Sequence, residues 1–242
     1  MRHLLVLLTL PALACLGVAC EAPEDNDRSP QYRSIDPDEP GPSSGERGNM
    51  MVTEILYSGS VSDSGEWDPD DVFIELQSKH PRPINISGWH LILEGDVVRT
   101  IRLPEIEQPV LPNGFFVIAA KDDGAFAGAG RDYPGIHLED LKLGQHYVKV
   151  ELRDNDFRKM EQAGSDGQIA FTGGYDTQTS RSMERVQLIF GNQGGNSRNW
   201  HAYSDTVGLP TVALGYQLRT LASPGEANSE DYSGSAAAGN FE

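Results

Sequence analysis

DVFIELQSKHPRPINISGWHLIL, residues 71–93, holds two strand-like runs joined by a proline-punctuated turn and closed by a tryptophan. Val72, Ile74 and Leu76 alternate with Phe73, Glu75 and Gln77, the period of two that a half-buried strand requires. His80-Pro81-Arg82-Pro83 turns the chain, and Ile84, Ile86, Trp89, Leu91 and Leu93 supply the apolar side of the return. Ser87-Gly88 offers a bulge or tight bend just before the large ring of Trp89. The pattern predicts a hairpin at the centre of an all-β sandwich, to which the other strands are added.

On the N-terminal side, residues 51–57 read as a strand. On the C-terminal side, residues 97–103 alternate, and Leu111-Pro112-Asn113-Gly114 leads into 115–120, a continuous apolar run suited to a strand buried on both faces. Residues 125–130 are expected to form a short helical turn or loop, and 138–143 a short amphipathic piece. Tyr147, Val148, Val150 and Leu152, a turn at Asp154-Asn155-Asp156, and residues 157–162 form a second hairpin. No stretch sustains helical periodicity, and seven to nine short strands at regular turn spacing predict a two-sheet sandwich.

Candidate functional residues lie between these runs. Asp68, Asp70 and Asp71 form a dense carboxylate cluster, which reads as a solvated acidic loop or as oxygen ligands for calcium, although the spacing departs from the helix-loop-helix calcium motif. Glu54 and Glu75 sit inside strand runs, where paired carboxylates either serve acid–base chemistry or occupy a solvent face and accept local hydrogen bonds. The long polar segments 164–182 and 190–215 are expected to be functional loops or disordered. The second carries Trp200, His201 and Tyr203. Trp200 either joins an aromatic platform or plugs the edge of the sandwich, while Tyr203 and Tyr216 are expected to be the exposed rings. No catalytic residue, cofactor or dedicated metal site is expected beyond the calcium candidates.

The ends read differently. Arg2 and His3 precede a leucine-rich run over 4–19, too short to span a bilayer but suited to an export signal. Residues 1–19 are expected to be a signal peptide and Cys20 the lipid attachment point of a bacterial lipoprotein, with Cys15 a rival position. Residues 20–48 lack apolar periodicity and are rich in Pro, Ser, Gly, Asp and Glu, as in an acidic disordered tether. Gly41-Pro42-Ser43-Ser44-Gly45 fits a nucleophile-elbow spacing without the strand and helix that make it work. The globular domain is expected over 49–228 and a disordered tail over 229–242. Both cysteines, Cys15 and Cys20, precede the domain, so it relies on its own core, for which about 180 residues suffice. With 36 acidic against 19 basic side chains and a formal net charge of -17, the chain is a poor ligand for nucleic-acid phosphates.

Six stretches in order carry a family resemblance: Val52-Thr53-Glu54-Ile55-Leu56-Tyr57, Phe73-Ile74-Glu75-Leu76, Ile86-Ser87-Gly88-Trp89-His90-Leu91, Leu111-Pro112-Asn113-Gly114-Phe115-Phe116-Val117-Ile118, Ser182-Met183-Glu184-Arg185-Val186 and Ser223-Pro224-Gly225-Glu226-Ala227-Asn228. The chain resembles the lamin-tail domains of nuclear lamins and bacterial surface proteins. The resemblance implies an immunoglobulin-like β-sandwich with no catalytic residues to carry over. With the lipoprotein leader, the expectation is a lipid-anchored module of the cell envelope, at the outer membrane or cell surface, that binds an envelope protein as an adaptor. The alternative is a carbohydrate- or cell-wall-binding module using exposed aromatics.

Overall fold

The computed structural model describes residues 48–126, 133–186, 193–204 and 210–230. The expected signal peptide, Cys20, nearly all of the tether and residues 231–242 of the tail lie outside them. The described residues are all-β, with one short 3-10 turn, Ser197–Asn199, as their sole helical element.

In chain order the strands are β1 (Met50–Leu56), β2 (Ser60–Val61), β3 (Trp67–Asp68), β4 (Phe73–Ser78), β5 (His90–Gly95), β6 (Arg99–Arg102), β7 (Phe115–Ala119) and β8 (Gly135–His137). They continue as β9 (Val148–Arg153), β10 (Lys159–Ala163), β11 (Gly174–Tyr175), β12 (Ser180–Arg181), β13 (Met183–Arg185), β14 (Trp200–Ala202) and β15 (Thr220–Leu221). A six-stranded sheet runs β14-β13-β1-β4-β7-β8, and a four-stranded sheet runs β10-β9-β5-β6. Two small sheets, β11-β12-β15 and β2-β3, complete the set.

The expected central hairpin is not one. β4 pairs with β1 and β7 in the six-stranded sheet, whereas β5 pairs with β6 and β9 in the four-stranded sheet. The segment between them crosses from sheet to sheet, steadied by a bridge between Ile84 and Val110. Its apolar pattern holds, since Ile84, Ile86, Trp89, Leu91 and Leu93 are all buried. Alternation and a proline turn report that two strands share a core, but not that they share a sheet. The second hairpin, β9 with β10, forms as expected, with the backbone amides of Asp156 and Arg158 donating to the Asp154 carboxylate.

One apolar core joins the two large sheets. Val52 and Ile55 of β1, Ile74 and Leu76 of β4, and Phe116 and Ile118 of β7 meet Leu91 and Leu93 of β5 and Val150 and Leu152 of β9. The other face of the six-stranded sheet is covered too. There Leu56, Phe73, Val117 and Ala119 pack with Ala125, Phe126, Val212 and Ala222. β7 is therefore buried on both faces, as its unbroken apolar run requires. The segment 164–182, read as a loop, instead contributes β11 and β12, and β12 pairs in parallel with β15.

Candidate functional site

The two large sheets each carry a row of ionisable side chains in cross-strand register. In the six-stranded sheet, Glu54 of β1 lies opposite both Glu75 of β4 and Glu184 of β13, and Glu184 lies opposite His201 of β14. A register shift between Val52 and Glu54 places these carboxyls together. The bulge breaks strict alternation, so that Val52 and Ile55 both face the core while Glu54 turns to the other side. All three glutamates have zero exposure.

The segment 223–229 lies over this row and supplies donors to it. The Ser223 amide donates to Glu54 Oε1 at 2.9 Å, the Gly225 amide to Glu75 Oε2 at 2.7 Å, and the Ser229 amide to Glu184 Oε2 at 3.1 Å. Thr53 Oγ1 donates to Glu75 Oε1 at 2.6 Å, and Asn228 Nδ2 bridges the carbonyls of Thr53 and Arg185. Ser223 Oγ lies 2.5 Å from Glu184 Oε1 and 3.3 Å from Glu54 Oε2. A hydroxyl has one proton to donate, so both contacts are hydrogen bonds only if one carboxyl is protonated.

Electrostatics agree with that proton. Burial, then the charges of Glu184 and Glu75, hold the Glu54 carboxyl well above the usual range. Burial pushes Glu75 up to about 8 and also raises Glu184, against the hydrogen bonds from Ser223 and Ser229. The row is chemically able to store protons and pin the segment above it, but it is closed to solvent. The solvent-face reading of Glu54 and Glu75 is thus corrected, because the C-terminal segment covers that face.

The expected ring platform does not assemble. Trp200 is buried in the core and donates from Nε1 to the Gly194 carbonyl at 2.9 Å, with the Arg185 guanidinium 5.6 Å from its ring centre. Tyr203 is buried rather than exposed, because its amide continues the edge pairing by bonding the Ser182 carbonyl. Tyr216 is half-buried in the cluster on the opposite face of the sheet. Trp67, Tyr147 and Phe157 are the exposed rings among the described residues, and Trp67, 39% exposed, stacks on the half-buried Tyr175 at 4.7 Å and 9°.

Each of the calcium candidates is engaged with protein partners. Asp68 pairs with Lys121, and Asp70 with Lys142 at 3.2 Å. Asp71 is fully buried and accepts from Ser60 Oγ at 2.5 Å and the Ala125 amide at 2.7 Å. Among the described residues no group of three or more His, Cys, Asp or Glu side chains is arranged to hold a metal.

The four-stranded sheet carries the second row. On its outer face Lys159 of β10 lies opposite Arg153 of β9, Arg153 opposite His90 of β5, and His90 opposite Arg102 of β6. Phe157 adds an exposed ring, edge-on to His90 at 5.2 Å and 4.8 Å from the Arg153 guanidinium. Glu151 accepts from Arg153 at 2.8 Å and from Lys159 at 3.1 Å. These cations hold its carboxyl down at about 2 against the opposing effect of burial. Beside the row, a cavity of about 290 Å³ contains Lys149, whose ammonium is already paired with Glu94, Glu151 and Asp166.

β6 ends this sheet among the described residues. The Asp96 amide bonds the Tyr147 carbonyl and the Leu103 amide bonds the Trp89 carbonyl, which fixes which backbone groups pair inward. By alternation, Ile101 and Arg99 pair with β5, while the amides and carbonyls of Thr100 and Arg102 point outward. No protein-family model matches the chain, and no curated protein matches it. Sequence reasoning named Glu184 in a family stretch and His201 beside Trp200 but missed their grouping with Glu54, and missed the basic row, because register, which brings them together, is a long-range property.

Proposed function

We propose that this chain is a lipid-anchored binding module of the cell envelope, an immunoglobulin-like β-sandwich of the lamin-tail type that acts as a protein adaptor. The ordered lamin-tail motifs and the leader preceding Cys20 support the family and the anchor, at the outer membrane or cell surface. One structural observation carries the binding role: β6 is an edge strand whose outward amides and carbonyls at Thr100 and Arg102 are aligned to accept another strand. The other edges are shorter or occupied. β8 and β14 have three residues each, and β10 receives the Gly48 amide at the Met160 carbonyl.

The adaptor reading is tested by capture from solubilised envelope with the full chain, comparing wild type with Thr100→Pro. Proline removes the outward amide, and at an edge it spares the ladder to β5. A stoichiometric protein captured by wild type and absent from the variant supports the reading; equal capture by both overturns it. Replacement of Cys20 by Ser releases the protein from membranes if the anchor is correct.

A second reading, binding of a surface glycan, rests on the exposed Trp67 stacked on Tyr175, because Trp200 and Tyr203 are buried. Polysaccharide retained by wild type and lost in Trp67→Ala favours it. Neither reading uses a catalytic residue or a cofactor, and calcium added to the capture tests whether the Asp68, Asp70 and Asp71 loop contributes.

A further inference from the structure

We propose that the partner segment accepted by β6 is acidic and apolar in alternation, with a carboxylate side chain placed directly opposite Arg102. The inference rests on the adaptor reading and names the chemistry of what is bound.

The register supplies the argument. Along the outer face, Lys159, Arg153, His90 and Arg102 occupy consecutive strands of one cross-strand row. A strand added beyond β6 places its own side chain next in that row, beside Arg102. Cross-strand neighbours on one face lie about 5 Å apart, and opposite charges there attract while like charges repel. Glu151 already serves the closed end of the row by pairing with Arg153 and Lys159. Arg102, at the open end, is exposed and has no ion pair among the described residues. The next positive charge in this row thus lies unmatched at the edge where a partner would arrive.

The neighbouring position sets the other half of the pattern. Ile101 faces the core side, opposite Leu91, which is itself opposite Leu152. A residue added beside Ile101 prolongs an apolar row and is favoured when apolar itself. Charged side chains on an edge also repel unwanted strands, so Arg102 selects against basic segments as it attracts acidic ones. In a chain of net charge -17, a local basic row is more selective than the overall charge suggests.

The test uses the full chain carrying Cys20→Ser and two synthetic probes, one alternating glutamate with valine and one alternating lysine with valine. Binding is read by fluorescence polarisation at low and raised salt. The glutamate probe is expected to bind at least roughly tenfold more tightly than the lysine probe, with the preference weakened by salt. Arg102→Glu should reverse the preference, and Thr100→Pro should abolish binding of both. Unfolding midpoints of both variants confirm that loss does not come from misfolding, and Arg102→Gln supplies a milder change at the same position.

Equal binding of the two probes, or binding that survives Thr100→Pro, overturns the proposal. Polygalacturonate bound by wild type, lost in Arg102→Glu and kept in Thr100→Pro, overturns it in favour of an anionic glycan on the same row. If neither probe binds while an envelope protein is still captured through a proline-sensitive edge, the acidic chemistry fails and the adaptor reading stands.

Discussion

The acidic row of the six-stranded sheet and the basic row of the four-stranded sheet solve the same problem by opposite means. Each sets side chains of like charge side by side across adjacent strands. Glu54, Glu75 and Glu184 are sealed from water, so burial raises all three carboxyls toward the protonated form, and their oxygens accept hydrogen bonds from Thr53, Ser223, Gly225 and Ser229. Arg153 and Lys159 are partly solvated and paired through Glu151. Burial thus decides whether a row is neutral and structural or charged and available to a partner.

Charges of the two sheets meet at Arg185 and Glu161, whose side chains are 1% and 10% exposed, and breaking that contact should have the largest effect. Arg185 of β13, 1% exposed, pairs with Glu161 of β10 at 3.1 Å and donates to the Val52 carbonyl. Glu161→Ala removes the carboxylate that faces the buried guanidinium beside the Trp200 ring. The expected loss is about 3–5 kcal/mol in urea unfolding. Replacing both members by apolar residues of similar volume should recover most of it. A loss under about 1 kcal/mol would show that the Glu161 carboxylate contributes little to holding the buried guanidinium, against the first half of the comparison.

The acidic row makes the next prediction. Glu75 has its carboxyl raised from 4.5 to about 8 in the folded protein, and Glu54 and Glu184 are raised as well. The folded state therefore holds protons that the unfolded chain has already released. This stability is fully present below about pH 4.5 and is lost as pH rises through about 8, at up to about 1.4 kcal/mol per pH unit for each proton involved. Glu151 behaves oppositely. Its carboxyl is lowered to about 2, so its stability is present above about pH 4.5 and is lost as pH falls through about 2. Unfolding midpoints measured from pH 5 to 9 should decline, and Glu75→Gln should flatten the decline by keeping a neutral group in place. Midpoints that rise over this range would mean that the glutamates are ionised in the fold.

What was legible in the sequence follows from the range of the physics behind it. The strands β1, β4, β7, β9 and β10 show in local alternation or in unbroken apolar runs, and the burial of Trp89 and Ile84 shows in their spacing. Sheet membership does not, since β4 and β5 carry the same local signals whether they pair or cross between sheets. Glu54 was legible as a strand residue and illegible as a buried one. Its side is set by the bulge after Val52, and its cover comes from Ser223, far along the chain. Ser229, read as the start of the tail, is tied to Glu184 through its amide and hydroxyl. Trp200 was legible in both its alternatives, and the core claims it; Tyr203 differs because edge pairing continues past Ala202.

The smallest stability effect is expected where the basic row opens. Glu151→Gln, at the paired end, removes the acceptor shared by Arg153 and Lys159 and should cost about 1–2 kcal/mol at neutral pH. Arg102→Gln, at the open end, removes a charge that touches water and no ion-pair partner among the described residues. Its effect should stay within the roughly 0.5 kcal/mol scatter of surface substitutions in the same urea titration. That asymmetry separates an arginine retained for folding from one retained for contact with another molecule. If Arg102→Gln instead destabilises as much as Glu151→Gln, the row is a structural unit along its whole length, and the edge has no unmatched charge to offer a partner.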